Sequence, residues 1–274
     1  MKKLSLLFVL SLSLLLAACG GGADESKSDS KTLKIGASNV PHAEILEKAK
    51  PILKEKGINL EISTFTDYVL PNKALEEKSI DANYFQHIPY LESQNKDNDY
   101  NFVNAGGVHI EPIGVYSKKY KSLDDLPKGA TVIMSSSVAD HGRMLSMLET
   151  EGLLKLKDGI DKTKATVDDI AENPKKLKFK TDVEATMLTQ VYNNEEGDAV
   201  LINSNYAIDA GLTPSKDAIA LESSKDNPYV NVIAVRKGDE SKKEIKTLIE
   251  VLHSKEIQDF INKEYKGSVI PANE

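Results

Sequence analysis

The sequence predicts an α/β fold built as two lobes, with a cleft between them and two strands crossing from one lobe to the other. Three observations predict it. Short apolar runs alternate with stretches of helical periodicity in the order βαβαβ, which argues for layers built on a largely parallel sheet. The alternation restarts near Ala130. Two further apolar runs, residues 113–117 (IGVYS) and 229–236 (YVNVIAVR), bracket that second unit as paired crossings between lobes would. A single larger α/β domain is the alternative that periodicity leaves open. No internal repeat is evident at the residue level.

The first unit opens with a strand over residues 33–37. A helix follows over 41–56, with Asn39 as a candidate cap, Pro41 near its first turn and Gly57 just past its end. Residues 58–63 alternate as a strand, 70–78 form a short helix, 80–84 a short strand and 89–95 another helix. Strands are expected at 102–103 and 110–116. In the second unit, 130–134 is a strand, 139–151 a helix closed by Gly152, 177–180 a strand, 183–192 a helix and Ala199–Ile202 a strand. Helices over 241–253 and 256–265 return to the first lobe. Lobe one therefore comprises residues 32–117 plus 228–274, and lobe two residues 118–227. A cleft between two lobes is a ligand trap by geometry.

Ahead of the lobes, Lys2 and Lys3 precede an apolar run over residues 4–16. A run of about 13 residues is too short for a hydrocarbon core that needs roughly 20 helical residues, so residues 1–18 read as a signal peptide. Leu16-Ala17-Ala18-Cys19 resembles the lipobox of bacterial lipoproteins. That resemblance implies cleavage before Cys19 and a diacylglyceryl thioether on its sulfur. Two acyl chains anchor stably where one gives marginal binding. An ordinary secretory signal with an incidental cysteine is the alternative. Residues 19–31 are rich in glycine, serine and charge and read as a flexible tether. The expected location is the extracytoplasmic face of the cell membrane, held by the lipid.

Removal of residues 1–18 leaves Cys19 to Glu274, ample for a well-buried core. Losing Lys2 and Lys3 takes the formal charge from -7 to -9. An acidic chain gains nothing from a phosphate backbone, which argues against nucleic-acid binding. One cysteine permits no disulfide within the chain, so stability outside the cell must come from packing.

The densest polar and aromatic cluster lies in two blocks, residues 66–72 (TDYVLPN) and 81–91 (DANYFQHIPYL), each at the carboxyl end of an expected strand. Open α/β sheets place ligand sites there. Core packing is the competing reading of such aromatics. Together with NSNYAIDAGLTPSKDA and PYVNVIAVR, these blocks resemble the methionine-binding lipoproteins of bacterial ABC importers (the NlpA/MetQ family). The likeness runs from about Leu33 to Pro271. It implies a periplasmic-binding-protein-like (type II) fold and a soluble monomer apart from its lipid, without cofactor or metal. Its partners would be an ABC permease and the ATPase of that permease. The ligand would be methionine, a related amino acid or a small dipeptide.

The family's binding positions fall on Tyr68, Phe85, His87 and Tyr90. Aromatic faces suit a thioether, and His87 and the tyrosine hydroxyls can hydrogen-bond at the rim. The family's Gly-Arg step falls on Gly142-Arg143, which assigns Arg143 to the ligand carboxylate, where a guanidinium offers a bidentate fork. Asn203 and Asn231 match two family asparagines, and their amides can meet an ammonium or a carboxylate. Asn205 is a weaker candidate, since asparagine in such a turn is often a cap. Two stretches depart from the family pattern: Ser135 to His141, and Leu188-Thr189-Gln190.

Other chemistry finds little support. The five histidines are scattered in sequence, without metal-ligand spacing. No nucleophile elbow, glycine-rich phosphate loop or catalytic cysteine is present, so an enzyme is not expected. A surface lipoprotein with a mainly adhesive role is the alternative outside transport.

Overall fold

A computed structural model describes residues 31–272. The signal peptide, most of the tether and Cys19 lie outside the described residues. Lys31, assigned to the tether, is instead the first residue of β1.

The strands are β1 (Lys31–Ser38), β2 (Ile58–Phe65), β3 (Ala82–His87), β4 (Phe102–Ile110), β5 (Gly114–Tyr116), β6 (Thr131–Ser135) and β7 (Lys155–Leu156). They continue with β8 (Ile170–Glu172), β9 (Lys178–Val183), β10 (Ala199–Ile202), β11 (Ala220–Leu221), β12 (Val230–Arg236) and β13 (Ile270–Pro271). The first sheet runs β13-β4-β12-β3-β1-β2 and the second β11-β5-β10-β6-β9, while β7 and β8 pair as a separate ribbon. In the first sheet β2, β1 and β3 are parallel and β12 is antiparallel. In the second, β9, β6 and β10 are parallel and β5 is antiparallel. Each sheet thus places the second, first and third of its parallel strands side by side, then an antiparallel strand. The repeat that the residues lack is present in the topology.

The helices are α1 (Glu44–Glu55), α2 (Leu70–Glu76), α3 (Ile88–Asn98), α4 (Val138–Thr150), α5 (Leu188–Asn193), α6 (Ser204–Asp209), α7 (Pro214–Asp217), α8 (Lys243–Leu252) and α9 (Lys255–Tyr265). Helix α1 buries Ile45, Leu46, Ala49 and Leu53, a helical spacing that packs one face on the first sheet with α8 and α9. The other face of that sheet carries α2 and α3. Strand β12 shows why its sequence is apolar without alternation: Ile233 and Val235 join the first cluster, Val232 and Ala234 the second. A strand covered on both faces needs apolar residues at every position.

Three expected boundaries move. The strand expected at 80–84 runs to His87, so Phe85 and His87 stand on β3 itself. The expected strands at 102–103 and 110–116 become one long β4, a break at residues 111–113, and β5. Pro112 offers no N–H to a ladder, and this break is where the chain passes between the sheets. Strand β5 pairs with β10 and β11 in the second sheet, so the first-lobe segment ends before Gly114 rather than after Ser117. The crossing runs are therefore not partners of each other: β12 pairs with β3 and β4 in the first sheet. The chain crosses once before β5 and once between β11 and β12.

Candidate ligand-binding site

Helix starts and strand ends converge where the two sheets face each other. After β2, the Asp67 carboxylate accepts from the N–H groups of Val69 (2.7 Å) and Leu70 (2.8 Å), fixing the loop that carries Tyr68. Beneath it, Asn72, Asn83 and Gln86 form a closed amide network: Gln86 Nε2 donates to both asparagine oxygens at 2.9 Å. Asn72 Nδ2 donates back to Gln86 Oε1 at 3.0 Å. These buried amides account for three polar residues of the two sequence blocks, of which Gln86 also lines the cavity described below. They hold the carboxyl end of β3 in place.

His87 caps α3, its Nδ1 accepting from the Tyr90 N–H at 3.1 Å. With Nδ1 so occupied, Nε2 is the ring nitrogen that donates, to Asp140 Oδ1 across the cleft at 3.0 Å. Asp140 lies in the first turn of α4 and also accepts from Asn203 Nδ2 at 3.0 Å. Burial pushes the Asp140 carboxyl up, but the His87 hydrogen bond and charge, with Arg143, outweigh it and hold the group below the usual carboxylate range. Asn203 occupies the cap position of α6 without making a cap bond, so its side chain is spared for the cleft. Its Oδ1 is buried and has no partner.

Tyr68, Phe85, His87, Tyr90, Arg143, Asn203 and Asn231 all line one cavity, with about 390 Å³ of empty space within it and at its mouth. The rings of Tyr68, Phe85 and Tyr90 form a mutual triangle with centroids 6.0–6.1 Å apart. Asn231 stands on β12 directly between His87 and His109 of the neighbouring strands.

Arg143 is less free than its sequence assignment suggested. Its Nε donates to Glu222 Oε1 at 3.2 Å, and its Nη2 donates to Glu222 Oε2 and to the Glu111 carbonyl. The guanidinium also sits over the Tyr229 ring, 4.5 Å from its centroid. Asn205, set aside as a cap, lines the cavity and accepts from the Tyr68 hydroxyl at 2.6 Å.

Sequence reasoning missed Glu111 and Asp140. Asp140 lies in the stretch that departs from the family pattern, in the first turn of α4. The scattered histidines also need one correction. The fold brings His42 to His109 and Glu111, with one ligating atom from each within 4.8 Å of the others. Glu111 Oε1 lies 2.8 Å from His109 Nε2 and 3.2 Å from His42 Nε2, and His42 Nε2 lies 3.0 Å from Asn231 Oδ1. Two imidazoles and a carboxylate are donors of a kind that can hold a divalent ion. Here they are already engaged with one another. Burial pushes the Glu111 carboxyl up, and it drives the His42 and His109 values down to about 4 and about 3.

The family model of the NlpA lipoproteins matches residues 33–273. The chain is 54% identical to the methionine-binding lipoprotein MetQ of Bacillus subtilis over 276 residues, covering 100% of both chains. A solved nutrient-binding protein from Burkholderia cenocepacia, bound to methionine, superposes with a TM-score of 0.82 at 45% identity, covering 88% of this chain and 100% of that one. A periplasmic substrate-binding protein of an ABC transporter from Coxiella burnetii gives a TM-score of 0.82 at 39% identity, covering 88% and 100%.

Proposed function

Because the chain belongs to the NlpA lipoprotein family, we propose that it is an extracytoplasmic, lipid-anchored binding protein that captures methionine and delivers it to an ABC permease. It performs no covalent chemistry. The observation that carries this reading is the single cavity lined by all seven expected residues. Its chemistry matches the three parts of an amino acid with a thioether. The Tyr68, Phe85 and Tyr90 rings suit the sulfur and its methylenes. Arg143 meets the carboxylate. The unpartnered Asn203 Oδ1 and the Asp140 carboxylate stand ready for the ammonium. Binding shifts the lobes toward the closed state by contacts made only there, and the closed form is what the permease recognises.

Calorimetric titration of ligand-free protein tests this reading. Methionine should bind at roughly -8 kcal/mol or tighter, and Arg143→Ala should lose about 2–4 kcal/mol by stranding the carboxylate. Zinc should give no comparable one-site binding. Saturable zinc without methionine would move the reading to metal transport through His42, His109 and Glu111.

The anchor rests on Cys19 in its lipobox setting, and no described helix is long and apolar enough to cross a membrane. Cys19→Ser should fold and bind methionine yet leave the membrane fraction. Retention there after a high-salt wash would refute the lipid anchor.

A further inference from the structure

We propose that Glu222 is a positioning residue of this site, orienting Arg143 for the ligand carboxylate and tying it to both inter-lobe crossings; the inference rests on the methionine reading above. Glu222 directly follows β11, at the start of the second crossing. Its backbone N–H donates to the Ile113 carbonyl at 2.9 Å, and its Oε2 accepts from the Ile113 N–H at 3.1 Å. One residue thereby clips the second crossing to the first. The same carboxylate takes Nε and Nη2 of Arg143. The remaining fixed contacts of the guanidinium also come from the crossings: the Glu111 carbonyl from the first and the Tyr229 ring from the second. An arginine of lobe two is thus held by the two segments about which the lobes must move.

The geometry also decides between two opposed effects. A carboxylate on Arg143 could compete with the ligand for the same charge, or it could fix the side chain so that the ligand meets ordered donors. Glu222 and the Glu111 carbonyl occupy Nε and Nη2. Among the described residues Nη1 donates no hydrogen bond: it pairs with Asp140 Oδ1 at 3.8 Å, beyond hydrogen-bond distance. Arginine carries substantial rotamer entropy, and fixing it before the ligand arrives removes that cost from binding. Because Glu222 leaves Nη1 free, orientation outweighs competition.

Titrating methionine and methionine amide, which lacks the carboxylate, into wild type, Glu222→Gln and Glu222→Asp tests the role. Glu222→Gln should weaken methionine roughly tenfold, in the range of partners sharing one hydrogen-bond network. It should leave the amide nearly unchanged, so the gap between the two ligands narrows. Glu222→Asp, which keeps the charge on a shorter stem, should lose less in the same direction, and it carries the test should the Gln variant fail to fold. Tighter methionine binding by Glu222→Gln would make Glu222 a competitor and overturn the proposal. Equal losses for both ligands would reduce it to a structural contact, and unchanged affinities would deny it any role. A wild type that binds neither ligand overturns the methionine reading itself, and this role with it.

Discussion

Three buried titratable side chains, His42, His109 and Glu111, form one cluster beside the cavity. Glu111 Oε1 stands between the Nε2 atoms of His42 and His109, and the Tyr84 hydroxyl closes the far side on His109 Nδ1. Burial holds both histidines neutral, with values near 4 and 3 against an ordinary value of 6.5. Between roughly pH 4 and 6.5 the unfolded chain therefore binds protons that the folded chain refuses, and stability is lost as pH falls through that window. Burial pushes Glu111 the opposite way, so it takes up a proton early in the folded state and offsets part of the loss. Denaturant unfolding should show stability dropping by about 1–3 kcal/mol from pH 7 to 5. His42→Gln should flatten that slope, and a wild-type profile already flat over this range would contradict the account. The pairing of His109 with Glu111, two residues on, was legible as one face of a short strand, but His42 was not, because it lies 67 positions before His109 and local spacing carries no trace of it.

At the scale of the element, helix α4 carries the chemistry of lobe two, and Gly142 decides how closely it packs. A Cβ at Gly142 would stand 2.3 Å from the Lys162 carbonyl oxygen and 2.6 Å from that of Thr163, both backbone atoms that cannot swing aside. Only glycine lets α4 press against the turn at Lys162–Lys164, and Arg143 is the next residue along. Gly142→Ala should cost about 1–3 kcal/mol in thermal or denaturant unfolding and weaken methionine by displacing Arg143. An alanine variant with unchanged stability would mean that the turn yields. The helix itself was legible from periodicity, and the Gly-Arg step from its resemblance. The reason for the glycine was not, since the turn it meets lies about twenty residues on and has no helical or strand periodicity.

For the whole molecule, direct bonds between the lobes set how far it stays closed. Tyr68 donates to Asn205 at 2.6 Å, Tyr206 to the Thr66 carbonyl at 3.2 Å, and His87 to Asp140 at 3.0 Å. Each joins a group on the first lobe to one on the second. A typical hydrogen bond contributes about 0.5–1.5 kcal/mol net, so Tyr68→Phe should weaken methionine by roughly 2- to 10-fold. It should also raise the radius of gyration of the ligand-free protein in solution scattering, and saturating methionine should restore compaction. No change in scattering between the ligand-free wild type and the variant would show that Tyr68 does not hold the lobes together.

By itself the sequence determined the α/β class, the order of most elements and seven of the residues around the cavity. Apolar periodicity reports burial of a face, and the blocks around Tyr68 and Phe85 to Tyr90 are local in the chain. It mislaid the end of β3 and the break before β5, because a strand that continues into a site or stops at a crossing differs only in what lies beside it. The tertiary structure alone decided what each polar group faces. Asp140 meets His87 and Asn203, Glu222 meets Arg143, and Glu111 meets His42, all across long separations in sequence. A buried charge needs a partner in space, and the chain supplies that partner from whichever segment the fold brings near.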